Sequence, residues 1–416
     1  MARSAAPSRV RLALLLGGLA MFGPFSIDTI FPAFPQIGAQ LGADKVAMQQ
    51  TISVYLVAYA LMSVVHGPVS DAIGRKRVIL AGLSVFALAS VGCALARDLP
   101  TLLAFRALQG LSAGVGLIVG RAVIRDLFHG DDAQRLMSQV SMVFGIAPAV
   151  APIIGGWLLG WGRWPLIFWF LVAFAVVLLA TAAVALPETH PPEARLSLAP
   201  RRLLRDYLGI VANPSFVRLS LTGSFNFNAL FLYIASAPVF VLEILDLDER
   251  QFAWFFVPTI GGMVAGAFTS GRMAGRMSGT RLAGLGFAVS ALAAVVNLVY
   301  TAWAPEPRVP WAIVPMCLNA FGIALVFPIV TLAILDMYPR QRGSASSLQA
   351  FVGLVINAAI AGALSPLLSH HPLWLALGSA AFTALGILVW RRELRSRQMP
   401  PECAAEPAAL EPTDRL

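Results

Sequence analysis

Gly67-Pro68-Val69-Ser70-Asp71-Ala72-Ile73-Gly74-Arg75-Lys76-Arg77 recurs in altered form as Gly271-Arg272-Met273-Ala274-Gly275-Arg276-Met277-Ser278-Gly279-Thr280-Arg281. Gly67 matches Gly271 and Arg77 matches Arg281, while Asp71 becomes Gly275. Each copy is a short basic segment joining two long apolar runs. Two copies at equivalent places predict two pseudo-repeated helix bundles with a site between them near mid-membrane.

Outward from these segments the chain reads as twelve apolar stretches. They lie at about 11–35, 47–68, 78–97, 100–123, 136–160, 164–186, 216–243, 250–271, 281–303, 309–335, 343–369 and 372–391. About 20 apolar residues span the hydrocarbon core as a helix. Composition agrees, with 58% hydrophobic and 12% charged residues in 416. The expected fold is all-α and integral to the membrane, with twelve transmembrane helices in two six-helix bundles.

Charge supplies the orientation. With the N-terminus in the cytoplasm, Arg3, Arg9, Arg11, Arg75–Arg77, Arg121, Arg125, Arg135, Arg201, Arg202, Arg205, Arg272, Arg276, Arg281 and Arg391–Arg397 fall inside. Only Lys45, Arg97, Arg163, Arg250 and Arg308 fall outside. This positive-inside asymmetry accounts for the net charge of +9 without a nucleic-acid partner. An odd number of spans would put the Arg391–Arg397 cluster on the wrong side. The organisation expected is a first bundle over 1–186, a cytoplasmic linker over 187–215, a second bundle over 216–391 and a disordered cytoplasmic tail over 392–416. In the linker, Arg201-Arg202-Leu203-Leu204-Arg205 predicts a basic interfacial helix. Cys93, Cys317 and Cys403 show no paired spacing, so neither a disulfide framework nor a metal site is expected.

Four pieces of the first half carry a family resemblance. They are Asp28-Thr29-Ile30-Phe31-Pro32-Ala33-Phe34-Pro35, the Gly67–Arg77 segment, Arg106-Ala107-Leu108-Gln109-Gly110, and a Pro/Gly stripe near Pro148. In their order and spacing the chain resembles the major facilitator superfamily, and more narrowly its Bcr/CflA-type drug/proton antiporters. Ala72 and Ile30 depart from that pattern. The resemblance implies a monomeric inner-membrane carrier of bacteria that exports small amphipathic compounds or drugs in exchange for protons by alternating access. A proton-coupled nucleoside, amino-acid or similar metabolite carrier on the same scaffold is the alternative. No GxxxxGK[ST] loop is present to couple ATP; the resemblance implies the proton as coupling ion, and no cofactor is expected. A membrane enzyme would need a nucleophile–base or metal constellation at one depth, and none is visible.

Asp28 and Arg106 are the candidate proton-coupling pair. Asp28 lies about 25 Å of helical rise past Arg11, and Arg106 about 10 Å past Leu99. Both charges therefore fall at similar depth, where each offsets the other's desolvation. Burial favours the neutral acid, while a nearby guanidinium favours the carboxylate. A movement that changed their separation would bind or release a proton; a static ion pair is the competing reading.

Gly67, Asp71, Gly74, Arg75 and Asp126 are gate candidates. Gly67 and Gly74 would permit close approach and tight turning, Arg75 would pair with Asp126, and Asp71 would accept from the backbone at residues 343–347. The resemblance implies that this network latches the outward-facing state. Gly145, Pro148, Pro152, Gly155 and Gly156 predict a bent, closely packed fifth span, the counterpart of the antiporter motif by resemblance. For a cavity taking a small molecule, Phe25, Phe31, Tyr55, Tyr59, Gln109, Asn226, Phe231 and Trp254 are candidates. Asn226 and Asn228 are two apart, so one of them at most is expected to line it. His66 is expected to be satisfied locally.

Overall fold

The computed structural model describes residues 9–128, 130–190, 192–194, 200–273, 276–304, 306–338 and 342–398. The first half comprises α1 (Arg9–Asp28), α2 (Phe34–Leu41), α3 (Lys45–Ile73), α4 (Arg75–Ala94), α5 (Leu99–Leu127), α6 (Gly130–Trp161) and α7 (Pro165–Ala185). The linker carries α8 (Pro200–Val211). The second half comprises α9 (Pro214–Ala235), α10 (Ala237–Val239), α11 (Ala253–Met273), α12 (Gly279–Trp303), α13 (Val314–Met337), α14 (Arg342–Ala359), α15 (Ser365–Leu368) and α16 (Pro372–Gln398).

Short polar residues start these helices. Asp44, Asp98, Asn213 and Ser278 each accept from a backbone N–H in the first turn that follows, satisfying a donor that no helix can satisfy itself. The Thr101 N–H bond holds the Asp98 carboxyl below the usual carboxylate range. Among the described residues ten helices are long and apolar enough to cross a bilayer, and an eleventh is bent by 50° between Ala235 and Ala237. α6 carries a shorter apolar stretch, Ile146–Trp161, in the place of the fifth expected span.

Several expected boundaries move. The first span breaks at Asp28, continues through a 3-10 turn over Phe31–Ala33 and resumes as α2. Pro32 and Pro35 cannot donate backbone bonds, which explains the break. The expected loop over 67–77 is almost wholly helical: α3 runs to Ile73, α4 starts at Arg75, and Gly74 alone joins them. Its φ of 106° lies in the region that favours glycine. The last helix runs through Gln398, past the expected start of the tail, and residues 399–416 lie outside those described. Two short π-helical segments, Phe240–Ile244 and Ile360–Leu364, both lie in the second half, after α10 and α14.

The halves repeat one packing scheme. In the first, α3 packs on α5, α1 on α6 and α4 on α7; in the second, α11 packs on α13, α9 on α14 and α12 on α16. Glycines set the closest approaches, as where Gly116 of α5 lies against the Leu19 carbonyl of α1. Val184, Leu292 and Val177 remain exposed on the outer surface, as lipid-facing side chains do. Gly116→Ala would drive a Cβ into a fixed backbone carbonyl and should cost about 1–3 kcal/mol. Gly284→Ala, where a Cβ meets open space, should leave stability within about 1 kcal/mol. Thermal unfolding of the detergent-purified variants measures both.

Candidate functional site

Arg106, on α5, is fully buried and its surroundings are built from neutral oxygens. Its Nε donates to the Thr51 carbonyl at 3.2 Å, and Nη1 donates to the Ser26 carbonyl at 3.0 Å, Ser26 Oγ at 3.0 Å and Gln109 Oε1 at 2.8 Å. The guanidinium carbon lies 4.5 Å from the centre of the Tyr55 ring. Gln109 is held in turn by donating to Ser90 Oγ at 2.8 Å. Nη2 has no partner. Bonds from a charged donor contribute more than neutral ones, and this shell replaces part of the lost hydration.

Asp28 lies at the end of α1, 4% exposed, and the expected ion pair with Arg106 is not formed in this conformation. Among the described residues no hydrogen bond or ion pair reaches its carboxyl. The helix is interrupted there, yet Leu12–Leu41 remains one span. The backbone N–H and hydroxyl of Thr29 both donate back to the Phe25 carbonyl, and Gly155 of α6 lies against the Thr29 carbonyl. Depth was legible in the sequence, but the direction in which Asp28 leaves a broken helix was not.

The other candidates separate into distinct groups. Tyr55 is buried beside Arg106, with Tyr59 at 6.4 Å edge-on. Phe31 stacks across the bundle boundary on Phe256 at 6.4 Å. Phe25 instead stacks on Phe174 of α7 within the first bundle, and Phe231 stacks on Phe227. Trp254 is 51% exposed, which suits an aromatic at the membrane edge rather than in a cavity. Asn226 is buried among the second bundle's own helices, beside Gly386 of α16. His66 is buried, with its Nδ1 unpartnered rather than satisfied locally as expected.

In α6, Pro148 and Pro152 lie inside one continuous helix with Gly145. Gly155 and Gly156 serve contact: Gly155 meets the first bundle at Thr29, and Gly156 meets the Glu249 carbonyl of the second half. More bonds join the bundles at this face, opposite the basic loops. Gln49 Nε2 donates to the Ala235 carbonyl at 3.0 Å, Gln50 Nε2 to Gly362 at 2.9 Å and Ser53 Oγ to Ala358 at 2.9 Å.

At the basic face Arg75 meets Asp126 as expected, but Asp71 pairs with Arg75 rather than with the start of α14. Arg75 pairs with Asp71, and its Nε pairs with Asp126 at 3.1 Å. Thr189 Oγ1 also donates to Asp126, and Glu188 accepts from the Arg75 backbone N–H at 2.9 Å, where α4 begins. Asp71 therefore faces a guanidinium one turn away, a stronger partner than the start of α14. At this face the linker also reaches both halves: Tyr207 donates to the Val64 carbonyl of α3 at 3.0 Å, and α8 packs against α14. Burial pushes the Tyr207 phenol up to about 12. Gly67 sits within α3 with nothing near its missing Cβ, so it serves neither turn nor close approach.

Comparison with known proteins adds to this geometry. The family model described as Major Facilitator Superfamily matches residues 14–361 and 219–409. The chain is 29% identical over 354 residues to the uncharacterized transporter YdgK of Bacillus subtilis, covering 85% of this chain and 88% of that protein. It is 27% identical to the bicyclomycin resistance protein homolog of Haemophilus influenzae, covering 83% and 86%. With multidrug resistance protein D of Escherichia coli it shares 28% identity, covering 82% and 84%. Two solved structures share the fold. A D-xylose–proton symporter superposes with a TM-score of 0.72 at 14% identity over 95% of this chain and 98% of that one. A bacterial homologue of the lysosomal transporter Spinster gives 0.71 at 17% over 95% and 100%.

Gln109→Leu removes an acceptor from a fully buried cation and should destabilise the protein by about 2 kcal/mol. Trp254→Phe should change stability by less than about 0.5 kcal/mol. Chemical denaturation of the two variants in matched detergent gives the comparison.

Proposed function

Because the chain belongs to the major facilitator superfamily, and is thus a multi-span membrane transporter, we propose that it exports small amphipathic compounds across the bacterial inner membrane in exchange for protons. The carrying observation is Asp28: a carboxyl buried at a helix break with neither ion-pair nor hydrogen-bond partner, two residues past the Ser26 that binds a guanidinium whose Nη2 is bare. An uncompensated buried carboxylate is costly, so the neutral acid suits this conformation. On losing its proton, the carboxylate is drawn toward the free Nη2 of Arg106, where each charge offsets the other's desolvation. Protonation and the geometry of the α1 break are thereby coupled, and Gly155 against Thr29 transmits the movement to α6.

The basic face is the cytoplasmic one, with both termini and the linker, by the positive-inside asymmetry. The bonds of Gln49, Gln50 and Ser53 then close the outer face. The names of the multidrug-resistance relatives support drug efflux, and the buried aromatics around Tyr55 and Phe31 suit an apolar cargo with few polar anchors. The protein acts as a monomer, its proton and cargo being its only ligands besides lipid.

Asp28→Asn should abolish pH-gradient-driven accumulation of a fluorescent cationic dye in proteoliposomes, yet leave dye binding and downhill exchange in place. A well-folded mutant with normal uphill transport would move the coupling proton elsewhere. The orientation has its own test. A single cysteine at Glu193, in a background lacking native cysteines, should be protected from impermeant maleimide in intact cells and become labelled when the inner membrane is opened. Labelling in intact cells reverses the assignment.

A further inference from the structure

Asn228, on α9, is fully buried, and neither of its amide atoms has a hydrogen-bond partner. A primary amide carries two donors and an acceptor, and buried polar groups are almost always paired. On α14 the Oδ1 of Asn357 is also buried and bare.

The two lie in register on parallel helices. Ser224 Oγ is 3.6 Å from where a Cβ on Gly353 would sit, and Ser236 Oγ is 2.8 Å from Ser365 Oγ. Asn228 is one turn beyond Ser224 and Asn357 one turn beyond Gly353, so helical periodicity sets them on the facing sides of α9 and α14. Polar residues at a membrane helix seam commonly bond to each other as glue; these do not. The neighbouring Ala358 carbonyl accepts from Ser53 of α3 at 2.9 Å, which puts the seam at the boundary between the bundles.

We propose that Asn228 and Asn357 form an amide-reading subsite for the cargo, selecting neutral compounds that carry a hydrogen-bond donor beside an acceptor, as lactams and secondary amides do. The Asn228 Nδ2 donates to the cargo carbonyl and its Oδ1 accepts the cargo N–H, while the Asn357 Oδ1 takes a further donor. Phe231, nearly a turn past Asn228 and stacked on Phe227, supplies an apolar wall. The subsite deepens the export reading and rests on it.

Calorimetric titration of the detergent-purified full chain tests this with matched pairs: 2-quinolone against N-methyl-2-quinolone, and δ-valerolactam against its N-methyl derivative. The N–H member should bind about tenfold tighter, as expected when a buried acceptor loses its donor. In Asn228→Leu the two members should bind alike, and the ligand-free protein should melt at a higher temperature because a bare buried amide is gone. Equal binding of both members by the native protein, binding of neither pair, or a lower melting temperature for Asn228→Leu overturns the proposal. Should Asn228→Leu fail to fold, the less buried Asn357→Leu carries the same binding comparison. Intact discrimination with no proton-driven export would instead fail the transport reading.

Discussion

A guanidinium inside a membrane bundle has to be solvated by protein, and the first half is assembled around that requirement. Arg106 draws acceptors from α1 (Ser26), α3 (Thr51) and its own helix (Gln109), and lies on the ring of Tyr55. Three helices thus share one buried charge. Their close approach is permitted by Gly110, against the Tyr55 carbonyl, and Gly116, against that of Leu19. Because every acceptor is neutral, the site keeps a net positive charge that an anion can offset. Asp28 is the acid close enough along the chain to do so.

That constraint links chemistry to motion. α1 ends at Asp28, and the next turn is held by Gly155 of α6, whose neighbour Gly156 touches the other bundle. In the proposed cycle a shift of the carboxyl toward Arg106 would act on the residues through which the bundles meet. At the basic face the Asp71–Arg75–Asp126 cluster belongs wholly to the first half, while the linker bonds to α3 through Tyr207 and packs through α8 on α14. The linker, expected as an interfacial helix, therefore also serves as a clasp. It keeps Leu204, Leu208 and Val211 exposed along one side while Ile210 is buried.

Hydropathy and the repeated basic segment made the twelve helices and two bundles legible, because lipid imposes length and polarity on every span. Finer features escaped for physical reasons. The turn at Gly74 looked longer than it is because polar residues at a membrane edge read as loop even when the helix continues. The shell of Arg106 was hidden because two of its acceptors are backbone carbonyls, which no side chain announces. Asp71 was expected at the start of α14, but a guanidinium at i+4 outcompetes a helix dipole. Asn357 passed unnoticed as the one polar residue in the apolar second half of α14, its facing position fixed only by the pairing of α9 with α14.

The central claim is that the Asp28 carboxyl is protonated in this conformation and gives up its proton when the site reorganises. Infrared difference spectroscopy of the purified protein, with and without transported dye, reads this directly through the carboxylic-acid C=O stretch. The account predicts that dye removes a protonated-carboxyl band, and that this band is missing from Asp28→Asn. A dye-induced loss of the same band in Asp28→Asn, or no carboxyl change in the native protein, would contradict it.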